Sequence, residues 1–205
     1  MLIDMAIIFE NSDIAVDHVV VGPLDNNVFT IFCAQSGEAI LIDAADENEM
    51  LEDICKQMNV RKVITTHGHF DHIGAVAHLR NVGIDVGVHL DDAQMLPSYD
   101  FILNDEDIIE VGKLRLKLMH TPGHTPGSIC IKIEGTPFLF SGDTLFPGGP
   151  GNTQLPGGDF LTIMKSIESR LMTLDFETLV LPGHGNSTTI GNEKDSIDAW
   201  SRRGW

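Results

Sequence analysis

Positive charge is scarce in this 205-residue chain. Only 13 Lys and Arg stand against 30 Asp and Glu, a formal net charge of −17. No basic run is longer than two residues. A surface of that average sign repels DNA and RNA, so no nucleic-acid partner is expected. Long apolar runs are missing as well. None approaches the ~18–20 residues a membrane span needs, so no membrane partner is expected either. The opening stretch MLIDMAIIFENSD has no basic region and sets Asp4 inside its only apolar patch, unlike a secretory signal. A cytoplasmic location is the resulting expectation. Cysteine is sparse too: Cys33, Cys55 and Cys130 are far apart and form no C-x-x-C. That excludes a disulfide framework or a thiolate metal site, and the three read as free, buried thiols in a reducing compartment.

What the chain does have is 42% hydrophobic residues, ample for a core, and residues 1–205 are expected to form a single domain. NVFTIFCAQSGEAILIDAA, residues 27–45, carries β-branched and aromatic residues on both sides of QSGE and reads as a hairpin. DENEMLEDICKQM places Met50, Leu51, Ile54 and Met58 at helical spacing behind an acidic first turn. RKVITT is a short strand, IGAVAHLRNVG a helix ending at Gly83, IDVGVHL a strand and DDAQML a short helix. KLRLKLMHT alternates as a half-buried strand does, and GSICIKIEGTPFLFSGD reads as a second hairpin. DFLTIMKSIESRLMTL is an amphipathic helix with Phe160, Leu161, Ile163, Met164, Ile167 and Leu171 on its apolar face. ETLVLPGHG is a buried strand running into a loop. NEKDSIDAWSRRGW closes the chain as a helix, with Trp200 and Trp205 packed against the domain. Strands and hairpins alternating with helices predict an α/β protein with a mixed sheet system. FPGGPGNTQLPGG, residues 146–158, is the one long loop, and loops of that length are usually functional.

The chemistry concentrates in TTHGHFDHIGA, where His67, His69, Asp71 and His72 fall within six positions. Imidazoles this close repel one another once protonated and leave ring nitrogens to satisfy, so a purely structural role fits poorly. Further candidates lie where later strands enter loops: His124 in HTPGHTPGS, Asp143 in FLFSGDTLF and His184 in LVLPGHGNS. Glycine beside a ligand lets the backbone turn sharply and approach closely, and ligand loops at strand ends are common in α/β scaffolds. One zinc takes about four ligands including water. Five histidines and two carboxylates therefore suit two divalent ions. Zinc is favoured, and the mixed donors suit iron or manganese as well. His120 reads as packing behind the site, and His18, His78 and His89 as surface or satisfied core histidines.

HGHFDH, PGHTPGS, GDTLF and PGHG, in this order, resemble the metallo-β-lactamase superfamily, and within it the small glyoxalase II-type hydrolases. The resemblance runs from LIDAA to the terminal helix. It implies a four-layer αββα sandwich with two metals at one edge between the sheets. His67, His69 and His124 would hold the first ion, Asp71, His72 and His184 the second, with Asp143 bridging. Asp71 is implied as the catalytic carboxylate that orients a metal-bridged hydroxide. Asp143 also argues against the best-known β-lactamases, which are exported and carry cysteine there.

The implied reaction is cleavage of a small thioester, a hydroxyacyl-thiol, because a thiolate of pKa near ~8.5 leaves without an acid. Three departures concern the substrate. About twenty residues follow His184, which leaves no room for the helical domain with which the larger enzymes hold glutathione. Their lysine and tyrosine fall nearest Asn152 and Gln154, which with Phe146 are the substrate-facing candidates. Ser128 stands where the family usually has histidine. The alternatives are a mononuclear iron persulfide dioxygenase using His67, His124 and Asp143, or another hydrolase of the superfamily such as a lactonase.

Overall fold

The computed structural model describes residues 5–204. The first sheet carries seven strands side by side in chain order: β1 (Ala6–Glu10), β2 (Ile14–Val21), β3 (Asn26–Cys33), β4 (Glu38–Ile42), β5 (Val60–Ile64), β6 (Asp85–His89) and β7 (Phe101–Leu103). β1 to β4 pair antiparallel through tight connections. β4 to β7 run parallel, which demands longer crossovers. α1 (Asn48–Gln57) supplies the first, α2 (Phe70–Ile73) with α3 (Val76–Asn81) the second, and a 3₁₀ turn (Leu90–Met95) lies in the third.

The second sheet begins with the antiparallel strands β8 (Ile108–Val111), β9 (Leu114–His120), β10 (Ile129–Ile133) and β11 (Phe138–Gly142). A small hairpin of β12 (Leu145–Phe146) and β13 (Gly149–Pro150) follows. The chain then crosses through α4 (Phe160–Ser166), which continues as a π-helical turn (Ile167–Leu171). It returns as β14 (Leu179–Pro182), parallel to β11, and β15 (Thr188–Thr189) closes the edge. α5 (Ile190–Lys194) and α6 (Ile197–Arg203) end the fold.

Strand alternation divides the apolar side chains among three cores. In β4, Ile40 and Ile42 face the second sheet while Ala39 and Leu41 face the helices. In β10, Ile129, Ile131 and Ile133 meet them from the other side. Side chains two apart on a strand share a face, so one central core forms between the sheets. Leu51 and Ile54 of α1 and Val76 and Leu79 of α3 cover the outside of the first sheet. Ile163 and Met164 of α4, Ile190 and Trp200 cover the outside of the second. The result is the αββα sandwich. Among the described residues no helix is long and apolar enough to cross a membrane. All three cysteines are free and buried.

Several sequence expectations need correction. The helix read over residues 73–83 is broken: α2 ends at Ile73 and α3 begins at Val76. A β-carbon at Gly74 would strike the Ala45 carbonyl, so the chain presses close there and turns. Leu161 is 78% exposed rather than on the buried face of α4. Its first-turn position points it past the edge of the core. His18 lies inside β2, hydrogen-bonded to Asn27 at 2.7 Å. The long loop is partly ordered as the β12–β13 hairpin. Trp205 lies outside the described residues. Trp200 is 3% exposed in the outer core of the second sheet. Trp200→Ala is expected to cost about 3–5 kcal/mol, read as a lower midpoint in chemical unfolding, because nothing else fills that space.

Candidate metal centre

Each candidate ligand leaves the end of a buried strand along the same edge of the sandwich. β5 runs into Thr65, Thr66 and His67, all buried. His69 caps α2, whose single turn presents Asp71 and His72. His124 sits in the turn between β9 and β10, Asp143 follows β11, and His184 follows β14. The turn holding His124 is closed by Ser128, whose Oγ accepts from Thr125 N at 3.1 Å. That is the local role of the serine standing where the family usually has histidine.

The ligand atoms gather in sets. His67, His69 and His124 form one and Asp71, His72 and His184 another, each with donor atoms within 4.8 Å of one another. In the first, His124 Nε2 stands 2.9 Å from His69 Nδ1 and 3.2 Å from His67 Nε2. In the second, His184 Nε2 stands 3.2 Å from both His72 Nε2 and Asp71 Oδ2. Asp143 lies between them. Its Oδ2 is 3.5 Å from His124 Nε2 and 3.6 Å from His184 Nε2, and its Oδ1 is 3.5 Å from His72 Nε2.

Supporting contacts fix the ring orientations. His124 Nδ1 donates to the Asn152 carbonyl at 2.7 Å, and His184 Nδ1 to the Leu24 carbonyl at 2.9 Å. His72 Nδ1 donates to Asp43 Oδ2 at 2.8 Å. Thr66 Oγ1 donates to the same oxygen at 2.8 Å, so its own oxygen accepts from His67 Nδ1 at 3.2 Å. With Nδ1 of each ring bonded outward, the Nε2 atoms of His67, His72, His124 and His184 point into the site. Asn26 Nδ2 steadies Asp71 Oδ2 at 3.0 Å.

Electrostatics agree with this arrangement. Burial and the neighbouring imidazoles hold His67 well below the usual histidine range, and burial with His124 lowers His69. Burial alone would depress His72, but Asp143, Asp43 and Asp71 outweigh it and lift the group to about 9. Burial would raise Asp71, yet hydrogen bonds from His184 and Asn26 and the charge of His72 hold it below the carboxylate range. The pocket thus attracts positive charge at one end and keeps neutral imidazoles at the other.

Do these residues fit metal ions? Nitrogens ligating one tetrahedral ion at ~2.0–2.1 Å stand about 3.3 Å apart, close to the spacings observed. His124 and His184 each direct Nδ1 to a backbone carbonyl, so in their neutral forms Nε2 has no proton to give the rings it faces. Asp143 Oδ1 is buried and has no hydrogen-bond partner, an arrangement that is costly unless a cation meets it. The donor set fits.

Three supporting residues escaped the sequence reading. Asp43 sits at the end of β4 with φ 63° and accepts from Thr66 N at 2.6 Å as well as from Thr66 Oγ1 and His72. Asp92, fully buried, accepts from Gly68 N, Thr125 Oγ1 and Gly127 N at 2.6–2.8 Å. It thereby ties the HGHFDH loop to the His124 loop. Asn26 is the third. Their only signal was an acid or amide next to an apolar run, which exposed residues share.

His120 stacks on His89 with ring centroids 4.0 Å apart and donates to the Pro126 carbonyl at 2.8 Å. This pair braces the His124 loop from behind. His78 meets Glu52 at 2.6 Å, away from the site. Of the substrate-facing candidates, the Phe146 ring lies 6.5 Å from that of His184. Asn152 anchors His124 through its backbone, while its side chain accepts from Gln154 N at 2.8 Å. Gln154 is exposed. A crevice of about 400 Å³ opens beside the donor sets, with His69 and Asp71 in its lining.

The family model of the metallo-β-lactamase superfamily matches residues 21–184, and the chain belongs to that superfamily. It is 33% identical over 180 residues to hydroxyacylglutathione hydrolase GloC of Haemophilus influenzae, an alignment covering 77% of this chain and 85% of that one. Among solved structures, the B3 metallo-β-lactamase BLEG-1 is similar with a TM-score of 0.80 at 31% identity, over 88% of this chain and 96% of that one. TTHA1623 in a di-iron-bound form is similar at a TM-score of 0.75 and 32% identity, over 86% of this chain and 96% of that one. The fold and the His/Asp cluster together define a metallo-β-lactamase-fold hydrolase.

Proposed function

We propose that the chain cleaves small hydroxyacyl thioesters as a two-metal hydrolase, with zinc the first choice of ion. The observation that carries this reading is the pair of three-donor sets meeting across Asp143. His67, His69 and His124 would hold one ion and Asp71, His72 and His184 the other, with Asp143 within reach of both sets. When bound, such ions supply a hydroxide near neutral pH and stabilise negative charge on the carbonyl oxygen.

The chain's own residues do the rest. Asp71 borders the crevice with one oxygen steadied by Asn26, so its carboxylate orients the attacking water and holds the proton it loses. Water gives one proton to Asp71 as its oxygen adds to the acyl carbon, the carbon–sulfur bond breaks with its electron pair on sulfur, and the products are a carboxylate, a thiol and one proton released to solvent. Among the described residues lining the crevice there is no Lys, Tyr, Ser or Cys, so a leaving amine would depend on Asp71 to return its proton as an acid. A thiolate, with pKa near ~8.5, leaves without one. Similarity to GloC supports the same reaction class. The proposed partner is a small-molecule thioester, with neither nucleic acid nor membrane involved.

The test is hydrolysis of S-lactoylglutathione and of S-lactoyl esters of neutral thiols, with metals quantified in the same sample and His69→Ala as control. Turnover at about two ions per chain, lost in the variant, is the expected result. A single iron with oxygen consumed on a persulfide would overturn the reading in favour of a dioxygenase built on His67, His124 and Asp143. Two ions without cleavage of any thioester would redirect the search to lactones.

A further inference from the structure

The crevice beside the donor sets differs in character from the site it adjoins. Phe70 and Ile73 of α2 form one wall, Met95 at the end of the 3₁₀ turn another, and Leu155 with Pro156 the third. Phe70 is 75% exposed, Leu155 44% and Met95 38%, an unusual exposure for three large apolar side chains converging on one hollow. Among the described residues its ionisable lining groups are His69 and Asp71, both already placed in the donor sets. Among the described residues no Lys or Arg lines it, and the whole chain carries a net charge of −17.

Those facts constrain what enters. Apolar walls gain by excluding water from an apolar group. A carboxylate seated among these walls, away from the donor sets, would lose hydration and meet no lysine or arginine in the lining. Glutathione carries two carboxylates. We propose that the part of the substrate seated in this crevice is uncharged and apolar, an alkyl or aryl substituent of the thioester, and that glutathione is not the preferred carrier. This deepens the thioesterase reading and rests on it. The crevice is continuous with the reacting centre through His69 and Asp71, so an apolar substituent placed there leaves the thioester carbon beside the donor sets. Phe70, Met95 and Leu155 then set specificity.

Two measurements on the metal-loaded protein test this. The first compares kcat/KM for lactoyl esters of hexanethiol, N-acetylcysteamine and glutathione, and for acetyl, hexanoyl and phenylacetyl esters of N-acetylcysteamine. The apolar members are expected to lead by about tenfold or more, and the two series separate a thiol-side from an acyl-side occupant. The second needs no turnover: binding of an uncleavable hexyl thioether of N-acetylcysteamine, followed by calorimetry. Leu155→Glu and Met95→Glu, both at exposed positions, are expected to weaken that binding about tenfold with metal content unchanged. Cleavage of all the esters without apolar preference, or binding indifferent to both substitutions, overturns this inference and leaves the hydrolase reading standing. Thioether binding that both substitutions weaken, with no thioester cleaved, upholds the crevice and sinks the hydrolase reading instead.

Discussion

Replacing Asp143 with alanine is expected to lower thioester turnover by about 10³-fold or more, since a metal clamp supplies several kcal/mol at the transition state. Metal content should fall below the wild-type value in the same sample. The metal-free variant should lose little thermal stability, because Asp143 Oδ1 is buried without a hydrogen-bond partner and its removal gives up only the attraction to His72, 3.5 Å away. A group whose loss destroys function and spares the fold is held for function. Unchanged metal content and unchanged turnover in Asp143→Ala would remove it from the site.

Asp43→Ala is expected to behave differently. Asp43 is 1% exposed and accepts from Thr66 N, Thr66 Oγ1 and His72 Nδ1. Alanine strands all three donors and also strains a backbone at φ 63°. Loss of one partner from such a buried charged network costs about 3–5 kcal/mol, measurable by chemical unfolding of the metal-free protein. His72 also loses the contact that orients its ring, so metal affinity should drop about 10–100-fold. Asp43→Asn separates the effects: asparagine tolerates the left-handed backbone and keeps the shape, but its NH₂ meets a donor. A stability loss clearly smaller than that of alanine is expected. Equal losses would mean that backbone strain contributes little and the hydrogen bonds account for the effect. An Asp43→Ala protein as stable as wild type would show that the network does not hold the site together.

The ligand loops were legible because their signals are local. Histidine and aspartate crowded beside glycine and proline at the ends of apolar strands have few structural uses. Hairpins such as β3–β4 and β10–β11 were legible from alternation around a polar break. The hairpin of β1 and β2 was not, because Asp17 and His18 interrupt the pattern in β2 and β1 is an edge strand with Ile7 62% exposed. β7, at three residues, is too short to show a period. Leu161 fitted the helical period yet lies outside, since periodicity gives a face but not the extent of the core that covers it.

Residue type and spacing along the chain decide what is chemically available here: seven metal-competent side chains at four strand ends, cysteines too far apart for a C-x-x-C, and a net charge of −17. These follow from covalent neighbours and net charge, which need no folding to be known. Packing two sheets against each other decides the rest. It sets Asp143 between two donor sets whose members come from opposite sheets, directs ring protons outward to Asn152, Leu24 and Asp43, and joins two loops through Asp92. It also brings Phe70, Met95 and Leu155 to one crevice. These groups are far apart in sequence, and only the packing of the strands that carry their loops brings them together, where orientation and charge become chemistry.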